Sequence, residues 1–354
     1  MNNPEVLHVV RRYGLVGGME GYVWELTHAL VKLGLKVGVI CEQVYGSPSP
    51  EIQIYKIEVE KSLRRWKAMM AFRNKANSLI KTQFVNRQIV VHSHERSLAH
   101  HITTFHGPPM EVKMNWWRLS ALSPRIKAWI MMEKAEILGP QVQLVLPVSN
   151  LIKEKLISLY PELKPENLIT AYPGVHESTH EQKKFIRTQR IGVHLVFVGK
   201  EWKRKGLEFA VRVAQNYSEL FGYCTLDVYG PDPSEVPIYI RCIPNVTING
   251  WSDEIAWTKF DALIHPAVRE PFGMVVPEAR SLGIPVLTTN LVGSTELNYD
   301  GVAVLEPTES PQTWAETLHE LINYQSNNIP EIKWTWNNLA LKHIDEIYPR
   351  IFIN

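Results

Sequence analysis

Two carboxylates, Glu270 and Glu278, lie eight positions apart in the segment REPFGMVVPEA. Glu270 follows an apolar run at 262–265 that predicts a buried strand, and Glu278 falls early in the helix predicted after the Pro-Phe-Gly turn. Carboxylates on the two sides of such a turn can accept hydrogen bonds from hydroxyl groups of a sugar and a ribose. The free amides at the start of the helix attract phosphate. Two glutamates that only cap an exposed helix would have the same spacing. Other residues must therefore distinguish a binding site from a helix cap.

Basic residues follow a second predicted strand, at 194–198. Lys200, Arg204 and Lys205 lie in the loop that precedes a predicted helix at 206–217. Cations near the start of a helix suit a diphosphate leaving group, because they neutralise the charge that it gains. An ordinary solvated loop of Lys and Arg is the alternative interpretation.

A glycine-rich loop at 14–18 follows the first predicted strand, at 6–10. Gly17 and Gly18 let a phosphate or another substrate approach the backbone closely, and a tight strand–helix turn would use them equally well. The glycines of this region, with Glu42 after the next predicted strand, could instead form a dinucleotide site. That alternative has weak support because the spacing is not G-x-G-x-x-G.

Two of the 13 histidines, His94 and His106, follow predicted strands at 88–92 and 102–105. Open α/β sheets place ligands at these strand ends. His94 would contact an acceptor or brace its loop, although a histidine is more often structural or only exposed. No carboxylate has the spacing to complete a metal site with these histidines, so we predict that they hold no metal.

The segment 262–307 resembles the donor-binding region of the retaining glycosyltransferases of family 4. The E-x7-E block in EPFGMVVPEA is followed by GIPV, GSTE and GVAVLEP, which are similar to further motifs of the family. The resemblance extends over nearly the whole chain, although Pro173 and His176 replace an Asn and an Asp of the family's NGVD motif. It implies the GT-B architecture, in which two Rossmann-like doubly wound α/β domains face a cleft. It also implies transfer of a sugar from a nucleotide-sugar donor with retention of anomeric configuration.

The resemblance also implies roles for the residues of this block. Glu270 would hold hydroxyl groups of the donor sugar, and Glu278 would hold the ribose of the nucleotide. The backbone amides that would meet the diphosphate are those of Phe272, Gly273 and Met274.

Other residues match the family's pattern elsewhere in the chain. Lys205 matches a lysine that precedes the second glycine of the basic loop, and would stabilise the leaving diphosphate. A second cation would be Lys200, where many members carry Arg, or Arg204, because this loop is shorter than in some members. Gly17 and Gly18 match a GG-x-E loop that faces donor and acceptor across the cleft.

The resemblance places His106 beside the donor sugar, as the family's strand-end histidine. It implies a metal-independent enzyme without a cofactor. The sequence agrees in one respect, because it contains no Asp-x-Asp pair of the kind that holds manganese in other transferases.

The elements that must position these residues alternate between strand and helix in both halves of the chain, which predicts parallel sheets. Further predicted strands lie at 37–41, 143–148, 225–229 and 284–288. We expect an acceptor-binding Rossmann-like domain at 1–178 and a nucleotide-sugar-binding Rossmann-like domain at 190–330, joined by a polar linker. A C-terminal helix at 331–354 would pack back toward the N-terminal domain.

The composition is that of a soluble globular protein, with 45% hydrophobic and 21% charged residues. We find no signal peptide and no apolar run near the roughly 18 residues of a membrane span. The three scattered cysteines fit a reducing compartment. Residues 1–175 carry 22 Lys and Arg against 14 Glu and no Asp, whereas the remainder carries 16 basic against 22 acidic residues. A basic half indicates an anionic partner.

Two segments of this basic half, 61–81 and 115–134, mix cations with Met and Trp. The tryptophans are Trp66, Trp116, Trp117 and Trp129. This mixture suits an anionic membrane surface. Amphipathic helices whose apolar stripe packs in the core would have the same sequence pattern. We therefore expect a cytoplasmic protein, peripheral on the inner face of the membrane. Nothing resembles a nucleic-acid recognition module, so we expect no nucleic-acid partner.

The expected acceptor is a saccharide or a glycolipid, as in the synthesis of lipopolysaccharide core or another surface glycan. A nucleotide-sugar epimerase or a soluble-acceptor transferase of the same fold is an alternative. A nicotinamide oxidoreductase is a third possibility, and the E-x7-E block argues against it.

Overall fold

The computed structural model describes residues 5–85, 87–110, 123–176, 191–252, 254–323 and 334–351. The chain divides into two compact units. Unit 1 comprises Met1–Gly174 together with Trp334–Asn354, and unit 2 comprises Val175–Lys333.

Strands and helices alternate along both units. The strands are β1 (Val6–Val9), β2 (Arg12–Tyr13), β3 (Val37–Cys41), β4 (Gln43–Val44), β5 (Gln53–Lys56), β6 (Val90–Ser93), β7 (Ile102–Phe105), β8 (Leu144–Pro147), β9 (Val193–Val198), β10 (Cys224–Tyr229), β11 (Val246–Gly250), β12 (Ala262–His265), β13 (Val286–Thr289) and β14 (Val302–Leu305). The α-helices are α1 (Gly18–Lys32), α2 (Arg65–Gln83), α3 (Pro124–Leu138), α4 (Asn150–Leu159), α5 (Leu207–Phe221), α6 (Ile238–Arg241), α7 (Val275–Ser281), α8 (Pro311–Asn323) and α9 (Trp336–Lys342).

Unit 1 contains a six-stranded parallel sheet in the order β5-β3-β1-β6-β7-β8, and β2 pairs with β4 beside it. Unit 2 contains a second six-stranded parallel sheet in the order β11-β10-β9-β12-β13-β14. The central strands are buried along their whole length, as the near-continuous runs of Val, Ile and Leu require when helices cover both faces. Two doubly wound Rossmann-like α/β units confirm the predicted fold class.

Each sheet has a topological switch point where its strand order reverses. The chain builds outward from β1 to β3 and β5 before returning to β6, and outward from β9 to β10 and β11 before returning to β12. Ligands of such sheets bind beyond the carboxyl ends of the strands at this point. The loops after β1 and β6 in unit 1, and after β9 and β12 in unit 2, are therefore the places to search for a site.

The helices of unit 2 bury one stripe each against its sheet. In α5 the buried residues recur every three or four positions, from Leu207 through Ala210 and Ala214 to Tyr217, as an amphipathic helix requires. Trp314 of α8 is fully buried against the same core. This core fixes the start of α5, and with it the basic loop that follows β9.

The last described segment, 334–351, belongs to unit 1. Trp336 at the start of α9 packs edge-on against Tyr22 of α1, with ring centroids 5.6 Å apart. Thr335 begins α9 with a capping box, in which its side chain accepts from the Asn338 amide. Within the described ranges, no helix combines the length and apolar character needed to cross a bilayer.

Candidate functional site

The switch point of unit 2 brings three predicted site residues together. Glu270 follows β12, and Arg204 and Lys205 follow β9 in the neighbouring loop. The Arg204 guanidinium donates to Glu270 Oε2 at 3.0 Å, and Lys205 Nζ lies 3.5 Å from the same oxygen. One carboxylate oxygen thus pairs with two cations where the fold places ligands.

The Arg204 side chain is fixed by further contacts. Its Nε donates to Glu201 Oε2 at 3.0 Å, and its NH1 also donates to the backbone carbonyl of Arg269. These contacts tie the basic loop to the loop after β12. Lys200, the alternative second cation, is exposed. The structure therefore places Arg204, rather than Lys200, beside Lys205 and Glu270.

Two glycines make room for this cluster. Gly199 has φ 157°, and a Cβ atom there would overlap Cδ of Lys205. Gly273 has φ 86°, and a Cβ there would come within 2.7 Å of Val292 Cγ1 and 3.1 Å of Glu270 Cγ. Side chains at either position would displace Lys205 or Glu270. Both glycines are therefore required by the geometry of the cluster.

The loop after β12 is held by the segment that follows β13. Glu270 forms an isolated bridge with Val292, in which the Glu270 amide donates to the Leu291 carbonyl at 3.0 Å. The Ser294 amide donates to the Phe272 carbonyl at 2.7 Å. The GSTE motif at 293–296 therefore positions the backbone of the E-x7-E block.

His265, at the end of β12, was not predicted as a site residue. It is fully buried, and Nε2 lies 3.9 Å from Glu270 Oε2. Desolvation lowers its pKa well below the usual value, and the charges of Lys205 and Arg204 lower it further. This imidazole is neutral, so it lies beside the Glu270 carboxylate without adding charge to the cluster.

The remaining predicted donor-site residues lie at the start of α7, which has only seven residues. Glu278 in its first turn has an exposed side chain. Desolvation nevertheless raises the pKa of its carboxyl, while Lys205 and His176 oppose the rise. The Glu278 carboxylate is therefore accessible from the surface of unit 2. Phe272 and Gly273 are buried, and Met274 is half-buried.

In unit 1, Gly17 and Gly18 begin α1 and differ in their surroundings. A Cβ at Gly17 would overlap the Glu20 carboxylate, whereas nothing lies within 4 Å of one at Gly18. Glu20 is buried and is held by a salt bridge to Arg12. The absence of a side chain at Gly17 thus leaves room for the Glu20 carboxylate. The open space beside Gly18 would let a ligand approach the backbone closely.

Glu42 makes a contact that bears on the dinucleotide alternative. Its Oε2 accepts from both Nε and NH2 of Arg11, at 2.9 and 2.6 Å. The carboxylate that would have to bind a ribose in that alternative is thus already paired with a guanidinium.

His106 follows β7 and is hydrogen-bonded to a second histidine. His106 Nε2 lies 3.1 Å from His94 Nδ1, and His94 Nε2 lies 2.9 Å from His8 Nδ1. Burial lowers the pKa of His8 and His106 to about 3 and that of His94 well below its usual value, so all three are neutral. His8 was not predicted, because a buried histidine inside a strand gives no local signal.

Among the described residues, three histidines of unit 1 form the group that most resembles a set of metal ligands. One nitrogen from each of His8, His92 and His94 lies within 4.8 Å of the others. His8 Nδ1 and His94 Nε2 lie 2.9 Å apart, which is a hydrogen-bonding distance. The absence of a bound metal stays a prediction.

The two basic helical segments show both burial and exposure. In α2 the side chains of Met69 and Phe72 are buried, while Arg65 and Lys67 are exposed. In α3 Met132 is buried, and Arg125 and Lys127 are exposed. The apolar stripes thus enter the core and the cations face solvent. Trp116 and Trp117 lie outside the described residues.

Two protein-family models match the chain. One is described as Glycosyltransferase Family 4 and matches residues 16–179. The other is described as Glycosyl transferases group 1 and matches residues 192–324. The first match contains Gly17, Gly18 and His106. The second contains the cluster at the switch point of unit 2.

Two characterised bacterial proteins are similar in sequence. The capsular polysaccharide biosynthesis glycosyltransferase CapM of Staphylococcus aureus is 26% identical over 203 residues, covering 51% of this chain and 53% of CapM. The lipopolysaccharide glucosyltransferase WaaG of Escherichia coli is 27% identical over 197 residues, covering 53% of this chain and 50% of WaaG. The chain thus spans about half the length of these curated relatives.

Solved structures match over almost the whole chain. The structure of WaaG, a glycosyltransferase involved in lipopolysaccharide biosynthesis, matches with a TM-score of 0.75 at 17% identity and covers 97% of this chain and 96% of WaaG. Anabaena HepE in complex with UDP and glucose matches with a TM-score of 0.62 at 12% identity, covering 98% and 97%. These likenesses show the GT-B fold.

Proposed function

Because the chain belongs to the glycosyltransferases of family 4, we propose that it transfers a sugar from a nucleotide-sugar donor to a saccharide or lipid-linked acceptor. The observation that carries the proposal is the Arg204–Glu270–Lys205 cluster at the switch point of unit 2. Two cations and a carboxylate there offer complementary partners for a diphosphate and for sugar hydroxyls.

In this proposal the donor diphosphate replaces Glu270 as the partner of Arg204 and Lys205. The released Glu270 carboxylate then accepts from hydroxyl groups of the donor sugar, with His265 beside it. Glu278, which is exposed at the start of α7, accepts from the ribose. The donor thus exchanges one set of charged hydrogen bonds for another, and neither the cations nor Glu270 is left unpaired.

The proposed transfer breaks the bond between C1 of the sugar and the diphosphate oxygen, and the diphosphate leaves with the electron pair. An acceptor hydroxyl oxygen bonds to C1 from the same face, and its proton passes to the departing phosphate oxygen. Attack from this face retains the anomeric configuration without a covalent intermediate. Negative charge grows on the diphosphate during the step, so Arg204 and Lys205 stabilise the transition state more than the bound donor. The reaction requires no metal.

The acceptor class that we propose is a surface glycan or its lipid-linked precursor. The names of WaaG and CapM connect those proteins with lipopolysaccharide and capsular polysaccharide. The UDP and glucose bound by HepE make UDP-sugars the first donors to test. A hexose or heptose is the expected transferred unit.

The direct test is to incubate the purified chain with a panel of UDP-, GDP- and ADP-sugars. One donor should raise the melting temperature and be hydrolysed slowly to the sugar and the nucleoside diphosphate, because ligands that bind only the folded state stabilise it. Glu278→Ala should lower the affinity for that nucleoside diphosphate by about ten- to a hundredfold, the value of a charged hydrogen bond. Glu235→Ala, which removes an exposed carboxylate elsewhere in unit 2, is the matched control.

Three results of this experiment would count against the proposal. They are the absence of any stabilising nucleotide sugar, equal affinity in Glu278→Ala and wild type, and loss of activity in a chelator. An epimerase of the same fold would convert the donor into another nucleotide sugar, or release the epimerised sugar, and chromatography of the products distinguishes that alternative.

We propose that the exposed cations of α2 and α3 bind an anionic membrane surface, each contributing about 1 kcal/mol near the headgroups. The wild type should co-sediment with anionic vesicles, not with neutral ones, and should detach in high salt. A variant with Gln at four exposed positions should lose vesicle affinity by about two to three orders of magnitude. Those positions are Arg64, Arg65, Lys67 and Arg125.

A matched variant removes the same charge elsewhere and should keep binding vesicles. It carries Gln at the exposed positions Lys164, Arg212, Arg241 and Lys259. Equal losses in both variants would mean that net charge, and not this surface, attracts the membrane. No preference of the wild type for anionic vesicles would remove the membrane proposal altogether.

A further inference from the structure

We propose that His8 and His94 are positioning residues that determine which nitrogen of His106 carries its proton. The three imidazoles form a continuous chain of hydrogen bonds, from His8 Nδ1 to His94 Nε2 at 2.9 Å and from His94 Nδ1 to His106 Nε2 at 3.1 Å. The inference rests on the proposed function, because it concerns a residue expected to act in sugar transfer.

The ring geometry supports hydrogen bonds rather than face-to-face stacking. The centroids of His8 and His94 lie 5.2 Å apart with only 13° between the ring planes. Two nearly coplanar rings at this separation, with nitrogens at 2.9 Å, meet edge to edge as an N–H···N bond requires. His94 and His106 are 5.4 Å apart with 38° between their planes.

The central histidine has one proton to share between two contacts. A neutral imidazole carries a single N–H, so its other nitrogen can only accept. His94 uses both nitrogens, and therefore donates at one contact and accepts at the other. If it donates to His106, it accepts from His8. If it donates to His8, it accepts from His106.

Each case assigns the protons of all three rings. In the first case every ring of the chain carries its proton on Nδ1, and in the second case every ring carries it on Nε2. A mixed pattern would set two N–H groups, or two bare nitrogens, against each other across about 3 Å. The chain therefore couples the tautomer of His106 to that of His8, and so determines whether His106 Nδ1 donates or accepts.

The far end of the chain is sealed from solvent. His8 is fully buried, and its Nε2 has no hydrogen-bond partner among the described residues. Nothing at that end can exchange a proton with water readily, so the chain keeps one pattern during turnover. A fixed tautomer presents a fixed donor or acceptor to a bound sugar, which is how electrostatic preorganisation acts.

Nitrogen-15 NMR of the histidine-labelled full chain tests the inference without any assay of transfer. The two-bond couplings between ring nitrogens and ring protons identify each tautomer. We expect His8, His94 and His106 to show the same tautomer in the wild type, whatever the remaining histidines show. Different tautomers within the chain would overturn the inference.

Two variants of His8 extend the test. His8→Leu removes the terminal hydrogen bond, so His106 should change to a mixture of tautomers and turnover should fall about fivefold at unchanged donor KM, the value of one neutral hydrogen bond. His8→Asn keeps a polar group near the position of Nδ1. It should restore the single tautomer of His106 and the wild-type turnover. His100→Leu is the control, because His100 is equally buried and bonds instead to Ser97 and to the Glu136 carbonyl.

A His106 spectrum that is unchanged in a folded His8→Leu variant would also overturn the inference. If His8→Leu does not fold, the wild-type spectrum still tests the inference, because it shows whether the three histidines share one tautomer. A wild type that shows matching tautomers but transfers no sugar would refute the proposed function and leave the coupled chain standing.

Discussion

Replacing Lys205 with Ala should lower kcat by about two to three orders of magnitude, because preorganised charges at a leaving group have effects of this size. The donor Kd should change less than tenfold, since Arg204 remains to bind the ground-state diphosphate while the charge that develops later loses its partner. Single-turnover kinetics together with calorimetry of donor binding would separate the two quantities.

Two further variants distinguish position from charge. Lys203→Ala removes an equal charge two residues away, where the ammonium lies 5.1 Å from the Trp202 ring, and should leave kcat nearly unchanged. Gly199→Ala keeps every charge but puts a methyl group where Lys205 Cδ lies, so kcat should fall by at least tenfold. Full activity of Lys205→Ala would mean that another cation stabilises the leaving group.

Acidification should unfold unit 1 in a single steep transition that begins near pH 6 and ends above pH 4. Burial lowers the pKa of seven of its imidazoles. The value is about 3 for His8 and His106 and about 4 for His100 and His343. It is well below 6.5 for His92 and His94, and it is also lowered for His101. The unfolded chain takes up protons near pH 6.5 and the folded unit does not. Each imidazole therefore contributes stability that is present above pH 6.5 and is lost as the pH falls toward its folded-state pKa.

Two carboxyls oppose this trend. Burial raises the pKa of Glu95 and Glu136 to about 7, so the folded unit takes up their protons first and gains stability as the pH falls from 7 to 4.5. Seven imidazoles with a lowered pKa outnumber these two carboxyls, so the net effect of acidification is a loss of stability.

Thermal unfolding followed by circular dichroism between pH 7 and pH 4.5 would measure this loss. The His100→Leu variant should lose stability less steeply than the wild type, by about 1.4 kcal/mol per pH unit, because it lacks one of the seven imidazoles. A melting temperature that stays constant over this range would show that these imidazoles accept protons in the folded state.

Much of the fold could be predicted from the sequence. The strands predicted at 102–105, 225–229 and 262–265 fall within or on β7, β10 and β12, because these segments are rich in β-branched, aromatic and other residues that favour strands. The boundaries were less predictable. The helix predicted at 206–217 runs from Leu207 to Phe221, because its last turn carries no strong stop signal before Gly222.

The residues that form the site were harder to predict than the strands and helices that carry them. Lys205 and Glu270 were predicted from family motifs, and the strand order then explains why they meet. Lys200 and Arg204 could not be separated from spacing alone, because the conformation of the loop decides which side chain reaches Glu270. His8 and His265 carry no local signal, since both faces of their strands are buried and alternation does not show where each side chain points.

The contact between α9 and α1 has a consequence for the order in which the chain folds during synthesis. Unit 2 is continuous in sequence, whereas unit 1 is completed only by Trp334–Asn354. Trp336 packs on Tyr22, and its backbone passes so close to Gly174 that no side chain would fit there. These residues leave the ribosome after the whole of unit 2. Unit 2 can therefore complete its core before unit 1 does. Until Trp334–Asn354 are synthesised, the surface of unit 1 around Tyr22 stays uncovered.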